Sequence, residues 1–536
     1  VLGSNNWAIA GSRTASGGAL LADDMHLGLS IPNTWYRARL RVGPSLDLVG
    51  ATLPGVPTLV VGSNGRIAWG FTNSYGDYSD LVLVERSADG GSYRSIDGWR
   101  PLQRVVETLR SASGASETLE LEVTEWGPLL PEAYDGQRVA LRWTAHEPAA
   151  TNLNWLLLER AASVQEALSL APTIGGPVQN LVVADRAGHI GWTPIGRIPR
   201  RGAGYDPTVP SAWDKPDAGW QGWLDPADYP RIYDPADGQL WTANNRVVGG
   251  QALARIGDGA PDRGARAQQI RDRLTRLARA TERDMLAIQL DDRALFLAPL
   301  RDALLDVLDA DALAGQPARA AYRRQLEDWG ARAAATSVGY RLVRLTNDEL
   351  ERRVFEALIP EARQRHADVK FRAPRQFHLP IAELVERRGW RAPAPDHASW
   401  RTLLLEAVDA TLAALATECA GDLSDCRWGE HNAVTIRHPL SRALPGLARW
   451  LDLPRVPMSG DSDLPHVHGP GFGASQRMAV SPGREHAGLF HMPGGQSGHP
   501  LSPFYSAGHE DWVRGHASPL LPGPTLHQLR LDAPGD

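Results

Sequence analysis

The chain has 536 residues, 43% of them hydrophobic and 22% charged, with a formal net charge of -6. A chain this long and this apolar is not intrinsically disordered and can bury a large core. The slightly acidic balance gives no electrostatic reason to expect nucleic acid or an anionic membrane surface as partner, and no run approaches the ~20 consecutive apolar residues of a membrane span, so no membrane insertion is expected.

From residue 5 to about 260, short apolar runs alternate with Gly, Pro, Asn and Asp, a texture that predicts a sheet-rich region. In VVGSNGRIAWG (60–70) and VVADRAGHIGW (182–192), β-forming flanks enclose a Gly-containing turn, and each predicts a hairpin. From about 264 to 420 apolar residues recur at i, i+3, i+4, as in ARAQQIRDRLTRLARA and WRTLLLEAVDATLAALA, which predicts helices. After Trp428 the chain returns to short strands and Gly/Pro-rich loops. Sheet, helices and sheet again predict one α+β unit divided at 4–263, 264–427 and 428–536. Cys419 and Cys426 are close enough to close a small disulfide loop, or to remain two thiols.

The start, VLGSNNWAIAGS, has neither an initiator Met nor a signal sequence. Taken alone, Gly3-Ser4-Asn5-Asn6 reads as a turn in which the serine hydroxyl caps backbone. The whole stretch GSNNWAIAGSRTASGGALLADDMHLGLSIPNTWYRARL, however, resembles the start of the β chain in the penicillin acylase family of N-terminal-nucleophile hydrolases. The resemblance continues in the same order through GRIAWGFTNSYGDYSDL (65–81), GRIPRRGAGYDP (196–207), LWTANNRVVGG (240–250) and RMAVSPGREHAGLFHMPGGQSGHPLSPFY (477–505). It implies a four-layer αββα sandwich of antiparallel sheets with a helical insertion. It also implies an exported, periplasmic or secreted protein, with its signal ahead of an α chain cut from the same precursor. Val1-Leu2-Gly3 would be the tail of the spacer between the two chains.

The resemblance assigns roles as well. Ser4, freed by autocatalytic cleavage of the Gly3–Ser4 bond, would attack a small N-acyl amide, with its own α-amine as general base; an α-amino pKa near 7.7–8.0 suits that task. The backbone N–H of Asn73 and the side-chain amide of Asn244 would hold the oxyanion. Arg266 would support Asn244 and the nucleophile, and His26, which stands where acyl-homoserine-lactone-cleaving members carry His, would tune the protonation of Ser4. Read without the resemblance, Asn73 is a strand-end residue, Asn244 an Asx turn, His26 a structural histidine and Arg266 a solvated residue at a helix start.

In Asp77-Tyr78-Ser79-Asp80, two carboxylates flank a backbone carbonyl, a hard-oxygen set suited to Ca²⁺. By resemblance this segment binds one structural calcium per αβ pair through Asp77, Ser79 and Asp80, with the Pro199 carbonyl and an acidic residue of the α chain. A further acidic ligand of some relatives falls at Arg255, with Asp258 nearby. Other motifs carry less. Ser497 in GQSGH lacks the second Gly of a nucleophile elbow, His466-Val-His468 has no metal-site companions, and Pro470 spoils GPGFG as a phosphate loop. Two readings of function follow. One is an amidohydrolase releasing a carboxylic acid and an amine from a β-lactam, an acyl-homoserine lactone or a related N-acyl compound, with His26 tilting toward acyl-homoserine lactones or cyclic lipopeptides. The other is a non-catalytic secreted scaffold of the same fold, which has no chemical need to keep both Gly3-Ser4 and Asn244.

Overall fold

The computed structural model describes residues 3–202, 205–367, 369–388, 399–419 and 422–532. Val1 and Leu2 of the expected spacer lie outside the described residues. Strand β1 (Gly3–Ile9) pairs antiparallel with β2 (Leu20–Gly28), placing Gly3 opposite His26 and Ser4 opposite Met25. Strand Gln239–Thr242 flanks β1 on its other edge, while Phe472–Ala474 and Arg477–Val480 pair with β2, and the sheet has seven strands in all. A second seven-stranded sheet contains β3 (Tyr36–Val42), β4 (Leu46–Thr52), β5 (Val61–Ser63) and β6 (Ile67–Asn73), followed by Gln179–Asp185, Ile190–Pro194 and Ile232–Tyr233. Both predicted hairpins are present, as β5–β6 and as Gln179–Asp185 with Ile190–Pro194.

Every residue of β1 is buried, because each face of the strand meets a different layer. Trp7 and Ile9 pack on Ala267, Ile270, Leu274, Met285 and Ile288 from helices Ala265–Thr275 and Glu282–Gln289. Ala8, one residue out of phase, joins Trp69, Phe71, Leu181 and Val183 of the second sheet. Helix Val164–Leu170 covers the far side of that sheet, with Val164 and Leu168 against Gly191. The layers therefore run helix, sheet, sheet, helix, the αββα order the resemblance implies. The sheets approach closely at Gly70, where a Cβ would lie 2.6 Å from Asp23 Oδ2 and 2.7 Å from Asn6 Nδ2, so only glycine fits without displacing that pair.

Two bodies lie outside the sandwich. A six-stranded sheet built mainly from residues 79–143 closes over Val82, Tyr93, Trp126 and Trp213. The helices Ala298–Val307, Pro317–Glu327, Val338–Leu358, His378–Arg387 and Trp400–Glu418 surround a core of their own that includes Leu304, Tyr322, Leu342, Leu404 and Val408. Cys419, at the end of the last of these helices, is disulfide-bonded to Cys426, which settles the two alternatives for that pair. Among the described residues no helix is long and apolar enough to cross a membrane.

Candidate active site

Ser4 lies in β1 beyond the end of strand Gln239–Thr242, so its backbone N–H has no strand partner on that side. The gap is filled by Asn244. At φ 66° this residue adopts the left-handed conformation that Asn tolerates better than most side chains, and the chain turns so that its amide reaches back to the strand. Asn244 Oδ1 accepts from Ser4 N at 2.7 Å and from Arg266 Nη2 at 3.0 Å. With both donors on the oxygen, the amide can face only one way. Its Nδ2 donates to the Asn73 carbonyl at 3.0 Å, which leaves one hydrogen of that nitrogen over. Asn245 is turned toward its own backbone, accepting from Ala243 N and donating to Arg246 O, so Asn244 is the residue of the pair that meets Ser4.

Arg266, buried in helix Ala265–Thr275, spans the site. Its Nη1 donates to Ser4 O at 3.0 Å and to Asn5 Oδ1 at 2.7 Å, and its Nη2 also binds the carboxylate of Asp262 one turn earlier. Asp262 N in turn donates to Asn244 O at 2.8 Å, closing a ring of contacts around the serine. The guanidinium thus has a carboxylate partner, which offsets the cost of burying its charge.

His26 occupies a different place from the one expected of it. Strand alternation puts it opposite Gly3, on the helix-facing side of the sheet with Asn5 and Asp24, and not beside the Ser4 side chain. Its Nδ1 lies 3.3 Å from where a Cβ on Gly3 would be, and its Nε2 is 2.7 Å from Asp24 Oδ2. Burial, reinforced by the nearby Arg266 and Arg477 guanidinium groups, holds this imidazole well below the usual histidine range, so it is neutral.

The Asp77–Asp80 segment forms a second polar cluster. Arg201 Nη2 lies 3.0 Å from Asp77 Oδ2 and 3.1 Å from Asp80 Oδ2. Tyr205 OH donates to Asp80 Oδ1 at 2.7 Å, and Trp220 Nε1 donates to Asp80 Oδ2. Burial, opposed by Arg201, pushes the Asp77 carboxyl up to about 6. Arg255 turns away to Asp228, and Asp258 pairs with Arg246. Among the described residues no group of three His, Cys, Asp or Glu side chains is placed to hold a metal. The two carboxylates that Arg201 brings together, Asp77 and Asp80, are hard-oxygen donors of the kind that suits calcium.

The motifs set aside have plain structural roles. Ser497 Oγ accepts from His499 N in a turn, and His468 Nε2 bonds the Asn432 carbonyl. Three groups at the serine site, Asp24, Asn5 and Asp262, were not anticipated from sequence. Asp24 shows a readable signal, since it stands two residues before His26 and hence on the same strand face. Asp262 stands one helical turn before Arg266.

Comparison with known proteins places this arrangement. A thermostable penicillin G acylase from Alcaligenes faecalis superposes with a TM-score of 0.69 over 99% of this chain and 100% of that one, at 18% sequence identity, which establishes a shared fold. The family model for penicillin amidase matches residues 1–524, and the chain belongs to that family. Among curated relatives, the acyl-homoserine lactone acylase QuiP of Pseudomonas aeruginosa is 28% identical over 96% of this chain and 66% of its own length. The penicillin acylase 2 proenzyme of a Pseudomonas species is 29% identical over 97% and 67%. The chain spans about two thirds of the length of these relatives.

Proposed function

We propose that this chain is the nucleophile-bearing part of an N-acyl amidohydrolase, activated by cleavage of its own Gly3–Ser4 bond. The observation that carries the reading is the clamp on the Ser4 nitrogen, in which Asn244 Oδ1 and Arg266 fix the atom that cleavage would turn into the catalytic amine. In the first reaction the Ser4 hydroxyl attacks the Gly3 carbonyl, the C–N bond breaks, and water hydrolyses the resulting ester. In the second the free α-amine takes the hydroxyl proton, Ser4 Oγ adds to a substrate amide, and the proton passes to the departing amine. Water then releases the carboxylic acid. Asn73 N–H and the remaining Asn244 Nδ2 hydrogen stabilise the oxyanion, and Arg266 orients Asn244. His26 faces the Gly3 side of the cleaved bond, held through Nε2 by Asp24.

Relatives named for acyl-homoserine lactones and for penicillins support a small N-acyl substrate. A relative named as a proenzyme supports processing; an α-chain partner belongs to the same proposal, and the Cys419–Cys426 disulfide supports export to an oxidising compartment, the periplasm or beyond. Calcium at Asp77, Asp80 and the Ser79 and Pro199 carbonyls, completed by a residue outside this chain, would brace the segment following Asn73 without entering the chemistry. The test is to treat the processed enzyme with phenylmethylsulfonyl fluoride, map the adduct by mass, and assay a panel of N-acyl amides. Modification of Ser4 with parallel loss of hydrolysis supports the reading; hydrolysis that survives full modification overturns it.

A further inference from the structure

The two oxyanion donors belong to different sheets. Asn73 ends β6 of the second sheet, whereas Asn244 follows strand Gln239–Thr242 of the first. Their separation therefore depends on how the sheets are held against each other at this end. We propose that Asn180 is a positioning residue that, with Thr72 and Thr242, fastens the two sheets behind the oxyanion site and sets the distance between its donors.

Asn180 stands in strand Gln179–Asp185, directly opposite Thr72 of β6. Its Oδ1 accepts from Trp192 Nε1 at 3.1 Å. Indole nitrogen only donates, so the amide cannot be reversed and Nδ2 must face the threonines. That nitrogen donates to Thr72 Oγ1 at 3.0 Å and to Thr242 Oγ1 at 3.2 Å, one hydroxyl from each sheet. The hydroxyls also bond each other at 2.9 Å. Asn180, Thr72, Thr242 and Trp192 are all buried, so these bonds face no competition from water. Thr72 precedes Asn73 by one residue and Thr242 precedes Asn244 by two, so a shift at the staple is passed directly to both donors.

The inference rests on the amidohydrolase reading of Ser4. Its test uses the processed enzyme from the complete precursor, an N-acyl 4-nitroanilide substrate, and rates expressed per site titrated with phenylmethylsulfonyl fluoride. Asn180→Ala and Thr242→Val are expected to lower kcat ~10–100-fold, as displaced oxyanion donors do, with KM changed by less than about twofold. Affinity for an alkylboronic acid, which forms a tetrahedral adduct on the serine, should fall with kcat, while affinity for the carboxylic acid product stays put. Thr242→Ser, which keeps the hydroxyl, should retain the parent kcat. If Asn180→Ala does not mature, the Val and Ser variants of Thr242 carry the comparison. Per-site kcat equal to the parent in Thr242→Val, or boronate and product affinities falling together, overturns the staple while leaving the amidohydrolase intact. A parent whose Ser4 neither reacts nor hydrolyses overturns the amidohydrolase reading, and the staple with it.

Discussion

The serine cluster and the Asp77–Asp80 cluster are both buried assemblies of charged side chains, yet they are completed differently. Around Ser4, groups from three distant segments saturate one another: Arg266 has Asp262, Asn244 has Ser4 and Asn73, and His26 has Asp24. Around Asp77 a single guanidinium, Arg201, serves two carboxylates, and burial still pushes Asp77 up to about 6. The first cluster draws its partners from segments far apart in the chain, whereas in the second Asp80 is held by Arg201, Tyr205 and Trp220 and Asp77 has Arg201 as its one ion-pair partner among the described residues.

The largest effects should arise by breaking the first cluster. Ser4→Ala removes the nucleophile for both cleavages, so a precursor carrying it should stay uncut on a denaturing gel and hydrolyse no amide. Asn244→Ala should fold yet lose on the order of 10²–10³ in kcat, the usual cost of an oxyanion donor, as measured by steady-state kinetics on matured enzyme. Gly3 gives a graded test. A Cβ there would sit 3.3 Å from both Asn244 Oδ1 and His26 Nδ1, so Gly3→Val should slow maturation strongly and Gly3→Ala less, read as the time course of processing.

The second cluster should answer to stability more than to rate. Chelation is expected to lower the Tm of the αβ enzyme while sparing the turnover of molecules that remain folded. An Asp77→Ala/Asp80→Ala variant should show the lower Tm with or without chelator, and equal Tm values for parent and variant would remove the metal from that site.

The smallest effect concerns pH. Burial, followed by the Arg477 guanidinium, holds His468 down to about 3 and His491 down to about 4. In the unfolded chain both take up a proton below about 6.5, so between about 6.5 and 4 the unfolded state binds more protons than the native one. These two histidines therefore contribute stability that is lost on acidification through that window, opposed by Asp77, whose raised carboxyl gains a proton in the native state first. Urea titrations of parent and His491→Gln at pH 6.5 and pH 4.5 should show the variant losing less stability, or gaining more, than the parent on acidification.

Much of this was legible in the sequence, for identifiable reasons. Ser4, Asn73, Asn244 and Arg266 were readable through the family resemblance of the stretches that hold them, and the structure brings all four together. The two hairpins were readable because a Gly-containing turn between β-forming flanks is a local signal. Sheet membership is not local. ETLELEVTEWG has the texture of any strand, and nothing in it says that Ser116–Thr124 belongs to a third sheet outside the sandwich. Nor is the face of His26 readable without its register against β1, which turns it toward Gly3. Asn180, Thr72 and Thr242 lie up to 170 residues apart, and only the stacking of the two sheets unites them.

The central claim is that Ser4 is a nucleophile that frees itself. The most direct measurement is the intact mass and N-terminal sequence of the large chain after expression of the complete precursor. A chain beginning Ser-Asn-Asn-Trp is the expected result. A chain still carrying Val1-Leu2-Gly3 ahead of Ser4, in protein that is folded and stable, would contradict it.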